Sequence, residues 1–200
     1  MNRYASFVLM EKPFLADKFQ IAWSELKPEN IVSDITEAIE IAQNQVDLIS
    51  QPSSAGDELT FENTLISLES AYEALSRPWG LVSHLDSVSN SDQLREAYNA
   101  MLPKVSEFYS KVPLNSGLWN RIKAYSETEE AKSLSGTRLR FLEETLSDFQ
   151  NSGADLPNED KSRLMQIESE LAQKTQKYSE NVLDSTNQWE LIVDNEEDLS

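Results

Sequence analysis

PENIVSDITEAIEIAQNQVDLIS, residues 28–50, reads as one helix from end to end. Pro28 lacks an N–H, which costs nothing in a first helical turn. Glu29 adds negative charge where the helix dipole is positive. Ile31, Ile35, Ala38, Ile39, Ala42, Val46 and Ile49 recur at intervals of three and four. That spacing makes one apolar stripe over about five turns. The run QPSSAG at residues 51–56 ends it.

The same period continues downstream. Thr60 is placed to cap a second helix, whose face is Leu65, Leu68, Tyr72, Leu75, Trp79 and Val82, with Pro78 set to kink or interrupt it. Asn90 and Gln93 have capping-box spacing ahead of a third helix carrying Leu94, Ala97, Met101, Val105, Phe108 and Val112. Pro103 is a second expected kink. A short helix is expected around Leu118 to Tyr125, and another over Thr137 to Gln150 with Leu139, Leu142, Leu146 and Phe149 on one side. Gly153 is suited to end it in a left-handed conformation.

Pro157 opens a last helix running to about Asn187, with Leu164, Ile167, Leu171, Tyr178 and Val182 spaced along it. It should reach roughly 45 Å and pack side by side with others in a bundle. Residues 1–26 read as an extended arm that Phe14, Phe19, Ile21 and Trp23 would pin to the helical body. At Trp189 the period changes, and WELIVD has strand character through Leu191, Ile192 and Val193. DNEEDLS, residues 194–200, then reads as a cut, which implies a domain incomplete at its C-terminal end. The expected fold is all-α: a bundle of long, partly kinked helices over 27–200, behind the arm, with a strand-like segment near residues 189–193.

Composition narrows the function classes. The 200 residues carry 35 acidic and 17 basic side chains, a net charge of −18. Such a field repels phosphate, which argues against nucleic acid and anionic membrane as partners. Its other consequence is solubility. There is no cysteine, so disulfides are excluded. The apolar run from Ala5 to Met10 is too short for a signal peptide. A cytoplasmic location is the default.

Few residues can carry chemistry. His84 is the only histidine, so a zinc site of the His-Glu-x-x-His type cannot be built. A serine triad would have His84 as its sole base and finds no Gly-x-Ser-x-Gly elbow. His84 is read as a packed helix-end residue. Asp194, Glu196, Glu197 and Asp198 lack the alternation and glycine of a calcium loop. Glu129 with Glu130, and Glu143 with Glu144, are adjacent on helices and point about 100° apart, so they read as solvent-facing. Trp79, Trp119 and Trp189 are expected to pack. No catalytic, cofactor-binding or metal-ligating residue is assigned.

Three stretches carry a family resemblance. One is FQIAWSELKPENIVSDITEAI, residues 19–39. The second runs from TFENTLISLESAYEALSRPWG at residue 60 through WGLVSHLDSVSNSDQLREAYNAMLPKVSEF, which ends at Phe108. The third runs from Leu142 to the end, with Asp148-Phe149-x-x-Ser152-Gly153-x-x-Leu156-Pro157 and Tyr178-Ser-Glu-Asn-Val-Leu-Asp184 as its elements. Together they resemble the N-terminal region of oligopeptidase A-like members of the thimet oligopeptidase family of zinc metallopeptidases. The resemblance implies a mostly α-helical part of a peptide-hydrolysing enzyme, shaping a channel that admits short oligopeptides. It implies zinc in the parent enzyme, held by a C-terminal catalytic domain that is missing from this chain and acts as its partner. These 200 residues alone would not be an enzyme. The alternatives are a stand-alone, non-catalytic helical module that binds peptides or another protein, or a purely structural helical domain.

Overall fold

The computed structural model describes residues 12–52, residues 58–192 and Asp194. Among them are seven α-helices and no strand. They are α1 (Pro28–Ser50), α2 (Ser67–Val88), α3 (Asp92–Leu114), α4 (Ser116–Ser126), α5 (Glu129–Lys132), α6 (Gly136–Asn151) and α7 (Asn158–Gln188). The all-α expectation holds.

The first helix is the hub, packing against α2, α3 and α4. Ile31, Ile35, Ala38 and Ala42 are wholly buried, with Val46 and Ile49 nearly so. Ala71 on α2 and Ala97 on α3 are buried in the same core. Small side chains at helix crossings let the backbones approach closely. Leu75, Val82, Met101 and Val105 fill the remaining space.

Local signals explain the element ends. Thr60 Oγ1 accepts from Asn63 N–H at 3.1 Å while Asn63 Oδ1 accepts from Thr60 N–H at 3.0 Å, a reciprocal cap. A π-helical turn over Glu62–Ile66 follows, which the sequence pattern did not announce. The third helix is capped by Ser91, whose hydroxyl accepts from Leu94 N–H, one residue later than the expected Asn90. Asn90 instead donates to Asp86 at the end of α2. Pro78 does not interrupt α2, and α3 runs through both Pro103 and Pro113. Gly117 is a packing glycine: a Cβ there would meet Ser50 O at 2.5 Å, where α4 starts against the end of α1.

Two expectations are corrected. Trp189 is extended (φ −89°, ψ 129°), yet residues 189–192 form no strand. No second strand lies among the described residues to satisfy such a backbone. Val193 falls outside the described residues. In the arm, Phe14 is buried and Ile21 packs on the core, but Phe19 is fully exposed and Trp23 about half exposed. Residues 1–11 of the arm lie outside the described residues. Pro13–Leu15 and Trp23–Glu25 are short 3-10 turns.

The arm is tied down at Asp34. This carboxylate is 1% exposed, accepts Phe14 N–H at 3.1 Å, and accepts the Ser33 hydroxyl at 2.9 Å. Asp34→Ala orphans a buried backbone donor and should destabilise the chain by about 1–3 kcal/mol in urea titration. Glu37→Ala, which breaks only the partly exposed pair with Lys12, should leave the midpoint unchanged. Equal effects of the two changes would contradict this anchoring.

Candidate functional site

The last helix sits on the core in a way its pattern did not suggest. Gly153 positions it: φ is +91°, and a Cβ there would meet Leu156 Cδ1 at 2.6 Å and Leu164 Cδ2 at 3.1 Å. From that turn α7 runs for 31 residues, of which only Lys161 and Glu180 are buried. Both are polar. Lys161 Nζ donates to Leu114 O at 3.2 Å. Asn99 Nδ2 donates to Glu180 Oε1 at 2.6 Å. Arg95 grips Asp184 through both terminal nitrogens, at 3.2 and 3.0 Å. Bidentate pairs of this kind fix geometry as well as adding energy.

The apolar stripe therefore faces outward. Ile167 is 45% exposed, Leu171 61%, Tyr178 70% and Val182 49%. Exposed Trp189, Leu191 and Ile192 follow it. This helix packs beside α3, as a bundle requires, but through its polar side, so its hydrophobic side has no cover among the described residues. A contiguous apolar face of this sort marks a contact surface.

The latch at the far end of α7 is electrostatically tuned. Glu180 is held below the usual carboxylate range, first by the Asn99 hydrogen bond and then by Lys177 and Arg95, against the cost of burial. Asp86, nearby on α2, is pushed up chiefly by burial, which outweighs hydrogen bonds from Gln176 and Asn90 and the field of Arg95. The two respond oppositely to acid. Glu180 stabilises the docked helix above the unfolded carboxylate value, and that contribution is lost as pH falls through its lowered value. Ionised Asp86 is unfavourable at neutral pH and relaxes on protonation.

The other candidate residues are dispersed. His84, expected to be packed, is instead exposed in the last turns of α2, with its ring 5.3 Å from that of Trp23. Glu130 is not simply solvent-facing, because its Oε2 accepts Phe61 N–H at 3.1 Å. Glu129 pairs with Lys132, and Glu144 with Arg140. Glu143 is exposed. Trp79 stacks on Tyr98 at 4.7 Å. Trp119 is buried, stacks on Phe149, and donates its Nε1–H to Asp155 Oδ1 at 2.8 Å. Trp189, at the end of α7, is 69% exposed rather than packed. Asp194 is exposed, and the other acids of that run lie outside the described residues. Among the described residues no three His, Cys, Asp or Glu side chains cluster as a metal site. Among the described residues the donor set does not fit zinc.

The residues of the latch were missed, although a signal was present. Arg95 and Asn99 are spaced by four, and so are Glu180 and Asp184. Two such pairs of complementary chemistry identify two helix faces that meet.

Asn99→Ala should strand Glu180 and weaken α7 docking by about 1.5 kcal/mol. Limited proteolysis within residues 164–188 should quicken, with α1 still resistant. The same loosening should occur in the wild type as pH falls through the lowered Glu180 value, and Glu180→Gln should blunt that acid response. An α7 as resistant as α1 in every case would refute a polar latch.

Comparison with known proteins locates this architecture. Residues 29–161 match the family model of the neurolysin/thimet oligopeptidase N-terminal domain. Oligopeptidase A of Haemophilus influenzae is 34% identical over 96% of this chain and 28% of its own length. Oligopeptidase A of Escherichia coli is 31% identical over 96% of this chain and 28% of its own length. The organellar oligopeptidase A of Arabidopsis thaliana is 29% identical over 71% of this chain and 18% of its own. The chain thus spans about 28% of the length of the bacterial relatives it matches. With its helical core and its match over α1 to the start of α7, this chain belongs to the neurolysin/thimet oligopeptidase family, through that family's N-terminal domain.

Proposed function

We propose that this chain is the N-terminal helical part of an oligopeptidase A-like zinc metallopeptidase that hydrolyses peptide bonds in short oligopeptides. Its own task is to shape substrate access as one wall of the channel. The observation that carries the reading is the solvent-facing stripe Ile167, Leu171, Tyr178 and Val182 on α7. The relatives extend well beyond the matched 28% of their length, and a catalytic domain in that remainder is the partner such a stripe suits.

Bound zinc would supply water activation and carbonyl polarisation from residues outside this chain. The residues of this chain contribute position. A rigid α1 core holds α3, and α3 holds α7 through Arg95, Asn99 and Leu114. Fixing a channel wall in this way orients a peptide before reaction, the kind of contribution that proximity makes to rate. Among the described residues no helix is long and apolar enough to cross a membrane. A cytoplasmic site of action completes the proposal.

A stand-alone binding module remains the second reading, since the same α7 stripe would serve a separate partner. The two are separated by the purified chain itself. It should bind no stoichiometric zinc and cleave no quenched fluorescent oligopeptide, with or without chelator. It should bind a hydrophobic dye and self-associate despite its −18 charge, and Leu171→Glu with Val182→Glu should abolish both. Chelator-sensitive cleavage would overturn the division of labour. A clean monomer without dye binding would overturn the role given to α7.

A further inference from the structure

A cavity of about 370 Å³ lies where α1, α3 and the start of α7 converge. Its polar lining includes Lys111, Lys161, Asn115 and Asn158, and its apolar wall includes Val46 and Met165. Among the described residues, no aspartate or glutamate lines it. That is unexpected in a chain of net charge −18, where acids outnumber bases 35 to 17.

Lys161 is the informative residue. It is 7% exposed, and an ammonium has three donors to satisfy. Its hydrogen bond is to Leu114 O, a neutral carbonyl. Among the described residues no carboxylate lies within ion-pair distance of it. Asp155 feels its charge from farther off but is committed to Trp119 and Lys123. A buried cation without a counter-charge is costly. Lys111 adds a second cation, partly engaged by Glu107. Asn115, another lining residue, has its Oδ1 taken by Leu118 N–H at 3.0 Å, and Nδ2 is the remaining polar atom of its side chain. Asn158 opens α7, whose first-turn N–H groups favour an anion. Glu159 and Asp160 in that turn are exposed and do not line the cavity.

We propose that this cavity binds a carboxylate carried on a short apolar stem, with Lys161 as its counter-ion and Val46 and Met165 against the stem. A free small acid and the C-terminus of a peptide share this chemistry. The inference does not rest on the peptidase reading.

The test is titration of the 200-residue chain, followed by the side-chain amide NMR signals of Asn115 and Asn158. N-acetyl-leucine should shift these signals saturably, whereas N-acetyl-leucinamide, which lacks the charge, should not. Inorganic phosphate, which lacks the stem, should bind more weakly. A tetrapeptide ending in a free leucine carboxylate assigns the site to peptide termini if it binds more tightly, and to small acids if it does not. Lys161→Met keeps the volume, removes the charge, and should weaken binding roughly tenfold or more, as expected of hydrogen bonds to a charged group. Lys132→Gln on α5 should change nothing. Equal binding of the acid and its amide to the wild-type chain would overturn the proposal, whatever the fate of the variant. So would phosphate binding as tight as that of N-acetyl-leucine.

Discussion

The close packing of α1 against its neighbours is the constraint on which the rest of the structure depends. Ala38 and Ala42 are wholly buried on the stripe that α1 turns to the core, and Ala71 and Ala97 answer from α2 and α3. Larger side chains at such crossings would push helices apart or force strained rotamers. With the alanines in place, Ile31, Ile35, Leu75 and Met101 are buried in one cluster. Gly117 extends the same rule to α4, where only a missing Cβ lets the backbone meet Ser50 O. Three helices, α2, α3 and α4, are fixed by one surface.

The last helix obeys a different economy. Its contact with α3 is built from an ammonium on a carbonyl, an amide on a carboxylate and a guanidinium fork. Hydrophobic burial is non-directional and would tolerate a rotated or shifted helix. Directed hydrogen bonds specify one rotation, and that rotation turns Leu171 and Tyr178 to the outside. The exposed stripe and the cationic cavity are thus two results of one arrangement. Where α7 starts, Lys161 is drawn into the groove beside Leu114, and farther along the apolar side faces outward among the described residues.

The sequence made the core legible because burial and helical period coincide there. Ile31 to Ile49 needs no tertiary knowledge: the spacing states the face, and the structure buries it. Gly153 was readable for the same local reason, since a left-handed end suits glycine. The reading failed where burial and pattern part company. Ile167 to Val182 has the spacing of a core face but is exposed, because periodicity reports an apolar side and not what covers it. Trp189 to Ile192 has strand composition without a strand to pair with. The cavity was missed entirely, since Lys111 and Lys161 are fifty residues apart and only the meeting of α3 with α7 brings them together.

The central claim is that an apolar, α1-centred core carries a separately latched α7 whose hydrophobic side is exposed among the described residues. Native-state hydrogen exchange of the purified chain tests it most directly. Amides of α1 around Ile35 to Val46 should exchange only through global unfolding. Amides of α7 between Ile167 and Val182 should exchange through local opening at a distinctly lower free energy. Equal protection of the two helices, with the same denaturant dependence, would mean that α7 belongs to the cooperative core and would contradict the account.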